Sequence, residues 1–370
     1  MGYRNSTDVF VIGGGPAGLA AAIAATRLGM RVTVADSERP PIDKACGEGL
    51  MPDGLAALRE LGVEPRQGEG YPFRGIRFLE GGAAVDASLP NGTALGIRRT
   101  ALHRIMAEHA AAAGVELRWQ TKVDGLGRDG VRMGGDTVTC RWIVGADGGD
   151  SRVRRWAGLD TFSRDSLRFG FRRHYRVAPW SDCMELYWDT GCQVYCTPVA
   201  PQEVCVAAIS RDRRLRLDQA LTRFPALARR LDGLPCGDAE RGAISATRRL
   251  RRVWRGNLAL VGDASGSVDA ITGEGLCLAF RQSAVLAQCL AAGDLARYQA
   301  EHRRISRLPE FMADFMLLTG AHYRLRRRAM EALAARPGVF RNMLAMHVGA
   351  LSPLAFAGNA LALGWGMVVA

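Results

Sequence analysis

The side chains near the N-terminus that are best suited to chemistry share one short stretch, KACGEGLMP, residues 44–52. Lys44 is one of two lysines in the chain, Cys46 carries a thiol, and Glu48 carries a carboxyl group between two glycines. A thiol supports redox chemistry, a carboxyl group transfers protons, and glycines let a ligand approach the backbone. An ordinary loop can have the same composition, so the position of this stretch relative to other motifs must decide its interpretation.

Gly13, Gly15 and Gly18 form a GxGxxG motif between an apolar run, VFVI, and an alanine-rich segment that favours a helix. Gly13 allows a tight turn, Gly15 lets the backbone approach a pyrophosphate, and Gly18 allows close helix packing. Asp36 ends the next predicted strand, eighteen residues after Gly18, where a carboxylate accepts hydrogen bonds from a ribose. The pattern predicts a βαβ unit that binds a dinucleotide.

Two further motifs place an aspartate at the end of an apolar strand. IVGADGGDSRVRR, residues 143–155, delivers Asp147 to the carboxyl end of a strand, which is the edge where such sheets bind ligands. LALVGDASGSVDAITGEGL, residues 258–276, does the same with Asp263 and then starts a helix between glycines. We predict that Asp263 accepts from a ribityl hydroxyl and that backbone N–H groups near Gly273 face an anionic flavin ring.

The three motifs in this order resemble those of flavoprotein monooxygenases of the aromatic-hydroxylase type, over about residues 8–290. Arg99, in RRTALHRIM, resembles the family's arginine on the helix before the adenine-side strand. ACGEGL and DAITGEGL resemble the geranylgeranyl reductase group, and Ser265 stands where hydroxylases have histidine after GDA. Flavin halogenases are also similar, but their paired-tryptophan motif would fall near residues 194–198, VYCTP, which hold no tryptophan. The sequence therefore argues against halogenation.

The pattern of elements and the resemblance together imply an α/β fold. It comprises a Rossmann-like FAD-binding domain of the GR2 type, an inserted β-sheet substrate domain and a helical C-terminal segment. The FAD-binding domain is predicted to be discontinuous, with residues 1–73, 97–160 and 253–320. Residues 74–96 and 161–252 would form the substrate domain, and residues 321–370 the apolar helical segment.

The resemblance also implies that FAD is the cofactor and that the loop at residues 44–50 passes beside the flavin. The predicted FAD contacts are Gly13, Gly15, Pro16, Ala17, Gly18, Asp36, Lys44, Cys46, Gly47, Arg99, Val123, Asp147, Gly262, Asp263, Gly273, Gly275 and Leu276. In that loop Lys44 would meet a phosphate, and Gly47 and Gly49 would let the backbone approach the ring or the pyrophosphate.

Cys46 and Glu48 are the candidate catalytic residues of this loop, and each has a plainer interpretation that we favour. Cys46 is interpreted as a small apolar wall rather than a redox thiol, because no second cysteine lies nearby to resolve it. Glu48 is interpreted as a solvated loop acid, with proton donation as the alternative.

The activity favoured by the resemblance is monooxygenation of a small, apolar, aromatic or polyketide-like substrate, as in secondary metabolism. NAD(P)H would reduce the flavin, and O₂ would then give a C4a-hydroperoxide. The alternative enzyme is a reductase of isoprenoid double bonds, which uses the same flavin without oxygen. A third interpretation is a flavin-binding or membrane-docking protein without turnover.

Outside the motifs, the pattern of apolar residues predicts further strands and helices. It predicts a hairpin within residues 74–97, a strand over 115–123, a β meander over about 166–210 and one helix at about 217–231. Aromatic residues on the meander would line a pocket or pack in the sheet, namely Phe169, Phe171, Tyr175, Tyr187, Trp188 and Tyr195. His174 and Glu185 are predicted to be structural rather than acid–base groups.

Composition limits the class of protein. The chain has 370 residues, of which 48% are apolar, and a formal net charge of +12. Its length predicts two domains, and its apolar content argues against global disorder. The arginines are scattered and no nucleic-acid-binding motif accompanies them, so we predict no nucleic-acid partner. The nine cysteines contain no CxxC pair, which argues against a metal site or disulfide framework and fits a cytoplasmic protein.

The C-terminal region combines a strongly basic stretch, residues 322–341, with residues 342–370, which contain no Asp, Glu, Lys or Arg. Our first interpretation is that helices here pack over the substrate cavity. The second is peripheral docking to a membrane, for which the neighbouring basic residues suit an anionic surface. A membrane span is the third, since Pro353 and several glycines interrupt the apolar run.

Overall fold

The computed structural model describes residues 6–90 and 92–352. Within these residues the strands are β1 Ser6–Ile12, β2 Val32–Ala35, β3 Gly49–Leu50, β4 Tyr71–Phe73, β5 Gly75–Glu80, β6 Ala83–Ser88, β7 Ala94–Gly96, β8 Glu116–Arg118, β9 Gly125–Leu126, β10 Gly130–Met133, β11 Asp136–Gly145, β12 Phe162–Tyr175, β13 Cys183–Asp189, β14 Cys192–Ala200, β15 Glu203–Ser210, β16 Arg241–Leu250, β17 Trp254–Arg255, β18 Leu258–Leu260 and β19 Gly266–Ser267. The helices are α1 Pro16–Arg27, α2 Pro52–Glu60, α3 Arg99–Ala112, α4 Arg152–Trp156, α5 Leu217–Leu221, α6 Pro225–Leu231, α7 Gly275–Ala292, α8 Leu295–Ala321, α9 Tyr323–Ala335 and α10 Pro337–His347.

The first sheet is mostly parallel, with the strand order β17–β18–β11–β1–β2–β8. Its central strand β1 pairs in parallel with both β2 and β11. Val9, Phe10 and Val11 of β1 are fully buried, which explains why this strand reads as a continuous apolar run. Helices α1 and α7 pack together beside this sheet, so the strand–turn–helix that begins the chain lies at the centre of the core.

The second sheet has eight strands in the order β19–β16–β12–β15–β14–β13–β5–β6. It is antiparallel except for the parallel pair of β5 and β13. Its residues share one apolar cluster with helices α8 to α10 and another with α5 and α6. The architecture is the predicted α/β class, with a Rossmann-like unit, an inserted β-sheet unit and a helical C-terminal segment.

Some strands pair with a sheet outside their predicted domain. The division into domains itself stays a prediction. β19 comes from the segment 253–320 but pairs with β16 of the second sheet. β7 comes from the segment 74–96 but joins β3 and β4 in a small third sheet. Short strands therefore tie the two large units together where the chain passes between them.

Two local predictions need correction, and one strand was not predicted. The single helix at 217–231 is wrong, because Phe224 is not helical and the ring of Pro225 starts a second helix, α6. The strand over 115–123 is limited to β8, because the chain turns at Gln120, whose φ is +53°. The sequence also gave no signal for β16, whose segment RGAISATRRL lacks a clear apolar alternation yet pairs along ten residues of β12.

The C-terminal helices close one side of the molecule. α9 and α10 contact β6, and α8 contacts the loop that precedes α7. Residues 353–370, to which most of the predicted apolar tail belongs, lie outside the described residues. Among the described helices, α7 alone has the length and apolar composition of a possible membrane span, and most of it is buried inside the protein.

Candidate functional site

A cavity of about 930 Å³ joins the carboxyl edge of the first sheet to one face of the second sheet. Of the predicted cofactor contacts, sixteen line it: Gly13, Gly15, Pro16, Ala17, Asp36, Lys44, Cys46, Gly47, Arg99, Val123, Asp147, Gly262, Asp263, Gly273, Gly275 and Leu276. Gly18 does not line it, since a Cβ there would lie 1.9 Å from the carbonyl oxygen of Gly13. The role of Gly18 is therefore close packing of α1 against the turn.

The glycine turn leaves room for a ligand at one position. Gly13 has a φ of +111°, and a Cβ there would lie 2.4 Å from the carbonyl oxygen of Ala146. At Gly15, by contrast, the nearest atom to an added Cβ is Nη2 of Arg99, at 4.0 Å. The Nε atom of Arg99 is buried and has no hydrogen-bond partner among the described residues. An open backbone position at a helix N-terminus beside an incompletely paired guanidinium suits a pyrophosphate.

Asp36 and His103 hold this turn in place. Asp36 accepts a hydrogen bond from the Gly14 N–H at 2.6 Å and one from the Glu38 N–H at 2.8 Å. His103 contacts the Gly14 carbonyl oxygen through Nε2 at 2.9 Å and is fully buried. Burial lowers the pKa of His103 below its usual range. His103 was not predicted from the sequence, because its only signal is a position on α3 that faces the glycine motif.

The GADG..S..R motif proves to be a structural junction. The carboxylate of Asp147 accepts from the Ser151 hydroxyl at 2.5 Å and from the N–H groups of Arg152 and Val153. Fully buried Arg154 then donates to the Ala264 carbonyl oxygen at 3.2 Å, which lies in the third motif. Asp147 lines the cavity, but its side chain caps α4 and fixes the second motif to the third.

Lys44 and Asp263 form an ion pair, although they were predicted to contact a phosphate and a ribityl hydroxyl respectively. Their Nζ and Oδ2 atoms are 2.8 Å apart, and both side chains remain about 40% exposed to the cavity and solvent. The Lys44 charge lowers the pKa of Asp263 below its usual range. The pair therefore spans the cavity wall between the loop at 44–50 and the end of β18.

The N-terminus of α7 opens onto the cavity. Gly273, Gly275 and Leu276 line it, and a Cβ at either glycine would meet no atom within 4 Å. The first N–H groups of a helix have no partner within the helix, and the helix dipole favours negative charge there. This end of α7 can hold an anionic or carbonyl-bearing ring edge.

Glu48 is buried, so its interpretation as a solvated loop acid is wrong. Its carboxylate contacts Arg172 at 2.7 Å and His174 at 2.6 Å, both on β12, and accepts from the Arg99 N–H at 2.9 Å. His174 in turn contacts Asp238 at 2.8 Å. Burial would raise the pKa of Glu48, but these partners, with His174 first among them, lower it below its usual range. An ionised, fully paired carboxylate is a poor proton donor, and proton donation by Glu48 stays an unfavoured prediction.

Cys46 lines the cavity and has a buried cysteine as a neighbour. The Sγ atom of Cys205, on β15, lies 3.7 Å from the Cys46 carbonyl oxygen. The prediction that no second cysteine lies near Cys46 is therefore wrong in space, because the second sheet brings Cys205 to this loop. Burial raises the pKa of the Cys205 thiol well above its usual range, which disfavours the thiolate. Both remain free thiols.

Away from the glycine motifs the cavity wall is apolar. It is lined by Met51, Ile76, Phe78, Met184, Leu186, Ile209, Ile271, Met312, Met316, Phe340, Met343 and Leu344. Of the six aromatic residues proposed from the meander, Phe171 and Tyr195 line the cavity, and Tyr195 donates to the Ile271 carbonyl oxygen at 3.2 Å. Tyr187 packs in the other apolar cluster, and buried Glu185 accepts from its hydroxyl at 2.8 Å.

The glycine turn, the open end of α7 and the cavity between two sheets define a FAD-dependent oxidoreductase. The chain belongs to the FAD binding domain family, whose sequence profile matches residues 6–302. The resemblance seen in the sequence is therefore confirmed, and FAD is the cofactor.

Two relatives that match most of the chain are reductases. A menaquinone reductase of Mycolicibacterium smegmatis is 30% identical over 323 residues, which are 79% of this chain and 78% of the relative. A digeranylgeranylglycerophospholipid reductase of Methanocella arvoryzae is 29% identical over 336 residues, which are 81% of this chain and 83% of the relative.

Solved structures share the fold at lower identity. A flavoprotein/dehydrogenase from Cytophaga hutchinsonii superposes with a TM-score of 0.82 at 18% identity, covering 98% of both chains. PqsL of Pseudomonas aeruginosa, described as a probable FAD-dependent monooxygenase, superposes with a TM-score of 0.72 at 23% identity, covering 86% of this chain and 98% of PqsL. At these identities the structures indicate the fold and leave the reaction open.

Proposed function

We propose that this protein is a FAD-dependent reductase that saturates a carbon–carbon double bond in a long, apolar, isoprenoid-like substrate. FAD would be held by the glycine turn, by Arg99 beside its pyrophosphate and by the N-terminus of α7 beside its ring. When bound and reduced, FAD supplies the hydride for such a reaction. This order of preference differs from the one that the motifs favoured, in which monooxygenation came first.

The observation that carries the proposal is the composition of the cavity wall. Five methionines line it, namely Met51, Met184, Met312, Met316 and Met343. Methionine side chains are unbranched and adaptable, so such a wall fits a flexible hydrocarbon chain in more than one conformation. The reductase relatives named above, and the ACGEG and ITGEG stretches, support the same substrate class.

The chain's own residues would bind and orient this substrate and exclude water. Burying a hydrocarbon against the wall stabilises the complex by about 25 cal/mol per Å² of apolar surface, which is the main binding energy available here. The loop at 44–50 is fixed on β12 through Glu48. It would hold Cys46 as a small wall residue beside the flavin ring. We propose NAD(P)H as the reductant.

Monooxygenation of a flat apolar substrate is the second candidate. The GADG..S..R motif favours it as a feature of aromatic hydroxylases, and the wall includes the aromatic pair Phe78 and Phe340, whose rings are tilted by 32° with centroids 4.9 Å apart. Such a pair can accept an aromatic ring. In that case the exclusion of water from the same cavity would limit the release of hydrogen peroxide without hydroxylation of the substrate.

An anaerobic assay separates the two candidates. The purified holoenzyme would be reduced in the absence of oxygen and supplied with menaquinone or geranylgeraniol. A reductase gives, without oxygen, a product with one saturated double bond, which mass spectrometry detects as a gain of two hydrogens that persists after any quinol has been reoxidised to the quinone in air. Reductant use that depends on O₂, with an oxygenated product and no anaerobic saturation of any alkene tested, would replace our first candidate with the second.

A further inference from the structure

A buried pair of titratable groups lies at the cavity wall, where the start of α7 meets the end of α10. Glu274 directly precedes α7, and His347 is the last residue of α10. The Oε1 atom of Glu274 lies 3.9 Å from Nδ1 of His347, and their side chains are only 5% and 7% exposed. The Nε2–H group of His347 donates to the Thr272 carbonyl oxygen at 3.0 Å, so Nδ1 is the ring nitrogen that faces Glu274, and both His347 and Thr272 line the cavity.

The surroundings keep a proton on this pair. The Oε2 atom of Glu274 is buried and has no hydrogen-bond partner among the described residues. Asp53 on α2 faces the same carboxyl group and accepts from the Cys277 thiol at 2.8 Å. Burial and the Asp53 charge raise the pKa of Glu274 to about 7, against the opposing effect of His347 and Arg281.

We propose that His347, supplied by Glu274, donates the proton that completes saturation of the substrate double bond. This inference rests on the proposed reductase function. His347 is the catalytic residue, because it lines the cavity. Glu274 lies behind the wall and acts through His347, as a positioning and proton-holding residue.

The step balances in atoms and electrons. With reduced FAD bound, one alkene carbon would receive a hydride and its two electrons from the cofactor, and the other carbon would receive the proton held on Nδ1 of His347. Glu274 would then return a proton to Nδ1, and solvent would restore the proton of Glu274. With NAD(P)H as reductant, the sum is alkene, NAD(P)H and one proton giving the saturated product and NAD(P)⁺.

The geometry suits a general acid in an apolar site. Proton transfer by a positioned side chain requires a group that reaches the reacting atom and holds its proton near neutral pH. Neither Glu48, which is fully paired, nor Lys44, which pairs with Asp263, offers this at the cavity wall. His347 comes from α10, a helix that also supplies Phe340, Met343 and Leu344 to the same wall.

The test compares His347→Gln and Glu274→Gln with Met346→Leu, a conservative change of the buried residue next to His347 on α10, which does not line the cavity. We expect kcat for alkene saturation to fall about 100-fold or more in H347Q, with KM changed less than about threefold, and M346L to stay close to the wild type. The wild-type kcat should fall as the pH rises through about 7, and this dependence should vanish in E274Q. The two variants act from different helices, so misfolding of one leaves the other informative.

A second measurement does not use turnover. Infrared difference spectra of the wild-type holoenzyme between about pH 5 and about pH 9 should show a buried carboxylic acid that loses its proton, and E274Q should lack this signal. Absence of the signal overturns the inference whatever the substrate. Equal kcat and pH profiles in the wild type and both variants overturn it while the reductase function stands. If the wild type saturates no alkene, the reductase function itself is wrong.

Discussion

Each glycine of the GxGxxG motif has its own physical task, and the tasks can be separated by substitution. A Cβ at Gly15 would point into open space, whereas one at Gly18 would lie 1.9 Å from the carbonyl oxygen of Gly13. We therefore expect Gly15→Val to fold normally and to purify without FAD, because the added methyl groups occupy the proposed pyrophosphate position. Absorbance of bound flavin and circular dichroism measure the two effects.

Gly18→Ala is the matched variant, since it should fail at the level of folding. We expect it to be insoluble or to lose several kcal/mol of stability, because backbone rather than a flexible side chain opposes the added methyl group. A G15V protein with full FAD occupancy would contradict the assignment of this cavity region to the pyrophosphate.

Substitutions of Cys46 test whether the thiol beside the cavity takes part in the reaction. We expect Cys46→Ala to keep most turnover and Cys46→Leu to lose FAD, since a small side chain suffices and a larger one narrows the cavity. Cys205→Ser is the control for a thiol pair, because Cys205 is the cysteine that contacts the Cys46 backbone. Loss of turnover in both C46A and C205S, with FAD bound, would instead indicate a redox-active pair.

Glu274 should make the protein less stable as the pH rises. Its pKa is raised from 4.5 to about 7, so the folded state binds this proton more tightly than the unfolded state does. The contribution to stability is complete below pH 4.5 and is lost between pH 4.5 and 7, at about 1.4 kcal/mol per pKa unit, or roughly 3 kcal/mol in all. Chemical denaturation of the wild type and E274Q across this range measures the difference, and parallel curves would refute it.

At the scale of elements, the loop at 44–50 is held on β12 by buried charges. Glu48 has a φ of +59°, an unfavourable conformation for a residue with a side chain, and Arg172 and His174 keep it there. We expect Glu48→Gln to lower the free energy of unfolding by about 3 kcal/mol, because it removes the charge that faces buried Arg172. Urea denaturation measures this loss.

The matched control for that variant is Glu64→Gln. Glu64 pairs with Arg59 on the surface, where both side chains are more than half exposed, so the change should cost less than about 0.5 kcal/mol. If E48Q lowered the free energy of unfolding as little as E64Q, the charge network would not fix the loop. Proton donation by Glu48 would then become the favoured interpretation.

The sequence predicted the elements whose signals are local. A glycine turn, an apolar strand and a terminal aspartate occupy adjacent positions, so β1, α1 and β2 could be read directly, and so could the ends of β11 and β18. The side chains that pair with Glu48 and the cysteine that contacts Cys46 lie more than a hundred residues away on β12 and β15, and no local pattern predicts such contacts. Glu274 and His347 were missed for the same reason, since they meet only when α10 packs over the cavity.

At the scale of the whole molecule, the cavity lies between two units and is closed by the C-terminal helices. The predicted packing of that region over the cavity agrees with α10, whose residues line the wall. A long apolar substrate must still enter from somewhere, and a lipid surface is where such molecules concentrate. We propose that the outer face of α8 and α9 contacts an anionic membrane surface.

Three exposed apolar side chains and a set of arginines support this contact. Phe311, Leu318 and Tyr323 are 60%, 55% and 56% exposed, and Phe311 and Leu318 are seven residues apart on the same face of α8. Exposed arginines follow on α9, namely Arg324, Arg327 and Arg328. Apolar side chains beside basic ones are typical of surfaces that lie in the headgroup region of anionic lipids.

We therefore expect the full chain to co-sediment with vesicles that contain phosphatidylserine, and to be released when the ionic strength rises, because salt screens the arginines. Phe311→Ser combined with Leu318→Ser should weaken this binding about tenfold, since two apolar anchors are lost. The control is Leu28→Ser, which changes a 48% exposed leucine next to the C-terminal end of α1 and should leave binding unchanged. Equal sedimentation of the wild type, the double variant and L28S would show that this face does not meet the membrane, and the substrate would then have to reach the cavity through water or on a carrier.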